Sequence, residues 1–298
     1  MTRRILPIIV KPVVLVWLWE LVSALLIAAP VHGWARQAWA THPDGDAPVF
    51  EPGGHALLSW LGNDGAALSI VLRTTLLLFV FFAVIGQLVT GIAIAWVDRA
   101  RLTHGEARRR LEPQEREDRS AMLEGTLAFL PLVIVTAIMG GFQLLVLGVG
   151  AVTSSAVDHR LAERLGDARS FAARMVVLAV FGFAVLAIGV IADLVRVAVV
   201  RSREPRMLRR LRAAAFEGLR TFRSSPGGAL AAWGWRAALS LALVWVGALA
   251  GDRTGGRDGA ALAMLFVVHQ LIVVARAGLR VSWLSRALAL VETTTPTR

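Results

Sequence analysis

Along the chain, apolar residues come in long, nearly unbroken runs instead of alternating with polar ones. Six runs reach the length of about 20 residues that a helix needs to cross ~30 Å of hydrocarbon. They lie at 5–30, 74–97, 126–153, 175–200, 229–250 and 260–283. Strands are disfavoured, because the runs are too long, lack a period of two and are rich in Leu and Ala. The pattern predicts an all-α polytopic membrane helical bundle with about six transmembrane helices, forming a single membrane domain over residues 1–298.

Composition agrees with a membrane protein. The 298 residues are 56% hydrophobic and 18% charged, with a mean hydropathy of +0.63, whereas soluble domains are about 45–50% apolar and about 25% charged. Disordered, collagen-like and disulfide-scaffold classes are excluded. The chain has no Cys, which excludes disulfides, thiolate metal sites and a cysteine nucleophile.

The first run resembles a signal peptide only in following Arg3 and Arg4. Lys11 and Glu20 interrupt it, and it is longer than the 7–15 residues typical of a signal core. It is therefore interpreted as an uncleaved span.

The distribution of Lys and Arg predicts the orientation of the spans. With both termini on one side, the segments on that side hold 23 of the 32 basic residues, the opposite segments hold 8, and Arg236 lies within a span. The basic segments are 1–12, 97–125, 196–223 and 276–298. Usage rich in Arg, Ala and Gly, with a single Lys, hints at a GC-rich bacterial genome. We expect a bacterial inner-membrane protein with both termini in the cytoplasm.

Residues 207–222 are predicted to form an arginine-rich amphipathic helix. Its apolar side contains Met207, Leu208, Leu211, Ala214, Ala215, Gly218 and Leu219. Its basic residues are Arg206, Arg209, Arg210, Arg212, Arg220 and Arg223. Such a helix is expected to lie among anionic lipid headgroups with the apolar side down, the alternative being a partner-binding helix. Residues 104–120 are more mixed in charge and predict a solvated helix-turn broken by Pro113.

A weak internal repeat relates two parts of the chain. The second and fourth spans each end in Asp-x-x-Arg, and each is followed by a basic stretch and then Glu-Gly-x-x-x-Phe. The first copy contains Asp98, Arg101, Glu124, Gly125 and Phe129, and the second contains Asp193, Arg196, Glu217, Gly218 and Phe222. Both copies read as span, basic helix and returning span, which indicates parallel repeats. Chance matching in a chain rich in Ala, Arg and Leu is the alternative.

The order of these features resembles a group of uncharacterised six-span bacterial inner-membrane proteins. The shared features include a loop with His42–Pro43 and Trp60–Leu61, the Asp193-x-x-Arg196 helix end, an Arg-rich helix running into Ser225–Pro226, and a last span with Gln270–Leu271. The layout is also similar to membrane domains fused to glycerophosphodiester phosphodiesterases. The resemblance implies a six-helix fold and supplies no catalytic residues, and the chain contains no phosphodiesterase domain.

Three polar residues are predicted to share a depth inside the bilayer. At 1.5 Å per residue, Glu20, Gln143 and His269 fall about 20–25 Å from the cytoplasmic face. Such residues are costly in lipid and usually face other helices. They form a proton or solute path in one interpretation and hydrogen-bonded packing contacts in the other.

A second group lies nearer the cytoplasmic face. Asp193, Arg236 and Arg276 fall within about 6–12 Å of it by the same measure. Asp193 and Arg236 are predicted to form a structural ion pair, whereas Arg276 can extend its side chain to the interface.

Catalytic motifs are missing: the sequence has no Walker loop, no Gly-x-Ser-x-Gly and no His-Glu-x-x-His. The sequence therefore predicts a non-enzyme without cofactor, metal or nucleic acid. Its partners are the bilayer, anionic headgroups, and other membrane subunits or a second copy of the chain. Three functional hypotheses remain: a membrane scaffold or accessory subunit, a small transporter that uses Glu20, Gln143 and His269, and an intramembrane lipid-modifying enzyme. A tail is predicted at 293–298.

Overall fold

The computed structural model describes residues 6–39, 65–104, 121–254 and 259–294. Within these ranges the chain forms seven α-helices and no strand. The helices are α1 (Leu6–Trp39), α2 (Gly65–His104), α3 (Ala121–Leu165), α4 (Asp167–Arg201), α5 (Met207–Ser224), α6 (Pro226–Thr254) and α7 (Gly259–Thr294). All except α5 are long and apolar enough to cross a membrane. The predicted all-α bundle with six membrane-spanning helices is therefore confirmed.

The helices extend beyond the apolar runs that predict them. α1 continues through Pro30 to Trp39. A proline removes one backbone hydrogen bond, but membrane helices tolerate this loss and need not end there. α3 contains 45 residues. At 1.5 Å per residue it is about 67 Å long, roughly twice the thickness of the hydrocarbon. Parts of these helices therefore project beyond the apolar core of a bilayer.

The segment 154–174, which lies between the third and fourth apolar runs and outside both predicted spans, is almost entirely helical. α3 and α4 are separated by Gly166 alone, whose φ of 78° lies in the region that favours glycine over residues with a Cβ. The two helices thus form a tight hairpin. The last helix, α7, includes Thr293 and Thr294, the first two residues of the predicted tail.

Some predicted features lie outside the described residues. These are positions 105–120 of the expected helix-turn, the loop motifs His42–Pro43 and Trp60–Leu61, and tail positions 295–298.

The chain divides into two compact units. Unit 1 comprises Met1–Ala93 and Ala237–Val281, and unit 2 comprises Ile94–Arg236 and Ser282–Arg298. Within unit 1, the Trp17 indole donates to Oε1 of Gln270 over 3.1 Å and thereby links α1 to α7.

Within unit 2, α3 packs along α4, and α5 packs against both. Their shared core contains Ala128, Leu132, Val135, Val195, Ala198, Val199 and Ala214. α5 lies close against α4 at Gly218, where a Cβ would lie 2.6 Å from Cγ2 and 2.9 Å from the backbone nitrogen of Val195. Only glycine permits this distance, because a side chain at position 218 would overlap the α4 backbone.

Candidate functional site

A buried carboxylate, Asp193, lies near the carboxyl end of α4 in unit 2. Its side chain lies in the buried stretch from Val190 to Val199, and the residue is only 8% exposed. Oδ1 accepts a 2.6 Å hydrogen bond from Nη1 of Arg196, one helical turn further along. Oδ2 accepts a 2.9 Å bond from the Trp283 indole on α7. Each carboxylate oxygen thus has a donor, which is how a buried charge is normally accommodated.

Arg196 connects the same carboxylate to α3. Its Nη2 donates to the Thr136 hydroxyl over 3.2 Å, while its buried Nε atom has no hydrogen-bond partner among the described residues. Asp193 and Arg196 therefore hold α3, α4 and α7 together through one ion pair and two neutral partners. We call Asp193, Arg196, Thr136 and Trp283 the Asp193 cluster.

The predicted ion pair between Asp193 and Arg236 is wrong. Arg236 instead donates to the Ser282 hydroxyl at 3.0–3.1 Å and to the Ala232 carbonyl at 2.5 Å, and its guanidinium lies 4.4 Å from the Trp235 ring centroid. The physical reason is proximity along the chain. Arg196 lies on the same helix as Asp193 at i+3, a spacing that brings two side chains together without any interhelical packing.

The first Asp-x-x-Arg motif pairs differently from the second. Arg101 donates to Glu292 over 2.9 Å and to the Ser285 carbonyl over 2.7 Å, both on α7. Asp98 lies 3.7 Å from Arg201 at the end of α4, and Arg201 lies 3.9 Å from Glu292. Asp98, Arg101, Arg201 and Glu292 thus form a balanced charge network that joins the ends of α2, α4 and α7.

The Glu-Gly-x-x-x-Phe motifs lie on structurally different elements. Glu124, Gly125 and Phe129 belong to the first turns of spanning helix α3, and Glu124 pairs with Arg99 at 3.2 Å. In the second copy, Glu217, Gly218 and Phe222 lie on α5, separate from spanning helix α6. The break falls at Ser225, whose following residue, Pro226, disfavours helical backbone at the position before it. The buried Gly125 and Gly218 are the feature that both copies share. The repeat itself remains a prediction.

Glu20, Gln143 and His269 each have neighbours within their own unit. In unit 1, Glu20 interacts electrostatically with Arg276 and Arg280 on α7, while His269 Nδ1 lies 2.9 Å from the Leu265 carbonyl. In unit 2, Gln143 donates to the Val185 carbonyl over 3.2 Å and so joins α3 to α4. The grouping of these three residues into one layer remains a prediction.

The amphipathic helix predicted at 207–222 is present as α5, but its apolar side does not all point in one direction. Ala214, Gly218 and Thr221 are buried against other helices of unit 2, whereas Leu208 and Leu219 are 77% and 41% exposed. The expectation that the entire apolar side faces lipid is therefore corrected. The exposed arginines of α5 and its N-cap are Arg206, Arg209, Arg212, Arg220 and Arg223.

Arg210 fixes α5 to the ends of two spanning helices. Its Nε donates to the Val199 carbonyl over 2.9 Å, and Nη1 reaches the Leu127 carbonyl at 3.5 Å. Burial lowers the pKa of this guanidinium from its ordinary value, yet an arginine stays protonated in proteins. A cation at the last carbonyls of α4 also interacts favourably with the helix dipole.

At its other end, α5 contacts the last turn of α7. The hydroxyls of Thr221 and Thr294 lie 2.7 Å apart, and Arg220 donates to the Thr294 carbonyl. α5 is thus held at both ends and along its buried side.

A small polar cavity of about 210 Å³ lies at the α3–α4 hairpin, lined by Ala151, Ser154, Ser155, Asp158, Arg174 and Leu178. Asp158 accepts a 2.6 Å bond from the Ser170 hydroxyl and lies 3.7 Å from Arg174. Its charge is therefore compensated from α4, and the group joins the two helices. No set of three or more His, Asp or Glu side chains among the described residues is placed to hold a metal ion.

Sequence reasoning missed four members of these contacts: Thr136, Trp283, Arg201 and Glu292. A tryptophan indole is a donor only, so a buried Trp283 needs an acceptor, but nothing in the order of residues indicates that this acceptor is Asp193, 90 positions away. Glu292 borders the predicted tail, where a charged residue carries no signal of a fixed partner.

Comparison of the chain with known protein families, curated proteins and solved structures finds no match.

Proposed function

We propose that this protein is a non-enzymatic scaffold or accessory subunit of the bacterial inner membrane, with both termini in the cytoplasm. In this role the six spans form a stable platform, and the arginine-rich surface of α5 faces the cytoplasm. The excess of basic residues in the segments on the side of the termini supports this orientation.

The observation that carries the proposal is the closed arrangement around Asp193. Both carboxylate oxygens accept hydrogen bonds, and Arg196 reaches across to Thr136. A transport path needs groups that exchange protons or bind a solute during the cycle, whereas these groups are occupied by one another. Their arrangement favours a structural role, in which buried polar contacts fix how helices pack.

Glu20 is the residue that favours a transporter as the second candidate. It is a half-buried carboxylate within a spanning helix, and its electrostatic partners Arg276 and Arg280 lie on another spanning helix. Intramembrane ionisable residues often belong to proton or ion pathways.

The deciding experiment measures proton flux in liposomes that contain the purified protein alone, with a pH-sensitive dye inside. We expect the flux to equal that of protein-free liposomes under an imposed pH gradient and membrane potential. The variant Glu20→Gln keeps the side-chain shape and removes the titratable group, so we expect it to complement a deletion strain like the unmodified protein. Flux that requires the protein and disappears in Glu20→Gln would replace the scaffold proposal with transport.

A further inference from the structure

The side of α5 that does not pack against unit 2 combines apolar and cationic residues. At 100° per residue, Leu208, Ala215 and Leu219 fall within about 40° of one another. We call these three residues the outer strip. Arg212 and Arg223 come next around the helix, and Leu208 and Leu219 are exposed.

The short connections of α5 keep it near the surface of the membrane. Only residues 202–206 separate it from α4, and only Ser225 separates it from α6, both of which are long and apolar enough to span. Five extended residues reach at most about 18 Å. A helix held this closely between two spans lies at the level of the headgroups.

The charge of α5 indicates what kind of partner binds to this surface. From position 206 to 224 the chain has six arginines and one acidic residue, Glu217. Exposed leucines bordered by arginines match a bilayer surface, since the leucines enter the acyl boundary and each guanidinium meets a phosphate. We propose that the outer strip, with Arg209, Arg212 and Arg223, binds anionic phospholipids of the adjacent leaflet.

The contacts on the opposite side of α5 leave these residues available. Gly218, Ala214 and Thr221 face the other helices of unit 2, and Arg210 donates to carbonyls of α3 and α4. Binding of lipid therefore requires no rearrangement of the helix.

The test uses the absence of cysteine from the chain, which allows a single nitroxide label on otherwise unmodified protein. Leu219→Cys places the label on the outer strip, and Ala213→Cys places it about 120° further round α5. The full chain is placed in nanodiscs of phosphatidylcholine, with or without phosphatidylglycerol. Electron paramagnetic resonance then measures the accessibility of each label to oxygen and to a water-soluble nickel chelate.

With phosphatidylglycerol present, we expect the ratio of oxygen to nickel accessibility at Leu219→Cys to exceed that at Ala213→Cys severalfold. Without the anionic lipid, the ratio at Leu219→Cys should fall. The added changes Arg209→Gln, Arg212→Gln and Arg223→Gln should abolish the dependence on lipid charge. A matched triple variant at the exposed Arg36, Arg73 and Arg169 should leave it unchanged.

A nickel-accessible label at Leu219→Cys in both lipids would overturn the proposal and indicate a water-facing or protein-binding surface. If the label at Leu219→Cys is equally shielded from nickel in both lipids, anionic lipid is not specifically recognised. The same conclusion follows if both triple variants lose the dependence on lipid charge to the same extent. The proposal uses the surface location of α5 but not the scaffold role, because label depth does not depend on whether the protein transports a solute. Failure here and failure of the flux experiment are therefore distinguishable.

Discussion

Trp283 donates its indole proton to Oδ2 of Asp193 over 2.9 Å, so that a residue of α7 satisfies half of the hydrogen-bonding demand of a buried carboxylate on α4. The other oxygen accepts from Arg196 of the same helix. A local ion pair supplies the counter-charge, and a distant indole supplies the link between helices. Removal of each partner therefore has a different effect.

We expect the ion pair to behave as a coupled unit. Asp193→Ala leaves Arg196 without its carboxylate, and Arg196→Ala leaves Asp193 without its counter-charge. Both side chains are mostly buried, so each single change should cost about 3 kcal/mol, as for buried pairs that lose one partner. The double variant should cost less than the sum, measured as the free energy of unfolding in detergent.

The matched control for these single and double variants combines Asp193→Ala with Arg236→Ala. Because Arg236 bonds to Ser282 and Ala232, the two effects should add. Additivity for the pair Asp193 and Arg196, or strong coupling for Asp193 and Arg236, would contradict the arrangement described.

Trp283→Phe removes the interhelical bond. The donor to Asp193 is lost, and the smaller ring also leaves a cavity at a side chain that is only 4% exposed. A hydrogen bond to a charged group is worth about 1.5–3 kcal/mol, and we expect a destabilisation of at least that size by thermal unfolding. Trp245→Phe changes a tryptophan that is 66% exposed and should have no measurable effect. Equal melting temperatures for the two variants would argue against a stabilising role for the bond.

Gly218→Ala tests the close approach of α5 to α4. The added methyl group would meet both the side chain and the backbone of Val195 below 3.0 Å. Overpacking of this kind costs about 1–3 kcal/mol. Val195→Ala should restore only part of the loss, since the backbone contact remains.

Gly234→Ala on α6 is the control for the glycine experiment. Beyond the adjacent turns of its own helix, no atom of the described residues lies within 4 Å of the position that the new methyl group would take. There the change should be neutral or stabilising by up to ~1 kcal/mol, since alanine favours helix. A neutral Gly218→Ala variant would show that α5 can move away from α4 at little cost.

Reporter fusions test the proposed orientation. Fusions at Asp46, Gly105, Arg164, Arg210, Gly255 and the carboxyl terminus should alternate between the two sides of the membrane, starting outside. Alkaline phosphatase reports the outer side and green fluorescent protein the cytoplasm. An external signal at Arg210 is incompatible with the orientation.

The number and type of the spans can be predicted because twenty consecutive apolar residues leave a membrane chain few alternatives. Their ends cannot. The helix through Pro30 and the single-residue break at Gly166 depend on backbone geometry that hydropathy does not encode. The same limit applies to helix ends generally, which pattern reasoning locates least well.

Partner assignment fails where it requires knowledge of how helices face one another. Asp193 and Arg236 are close in predicted depth, but depth says nothing about direction around a helix. The local partner at i+3 is visible in the sequence, where it stands out only as part of a repeat motif. Conversely, the amphipathic helix at 207–222 is predicted correctly, because a period of 3.6 residues is a property of the sequence itself.

Gly218 is the only glycine in α5, and this determines how the helix can be rotated about its own axis. A turn by one residue would bring Glu217 or Leu219 against Val195, at a distance that admits neither side chain. It would also swing every arginine by about 100° around the helix. The direction in which the positive charges of α5 point is thus set by an uncharged residue that has no side chain.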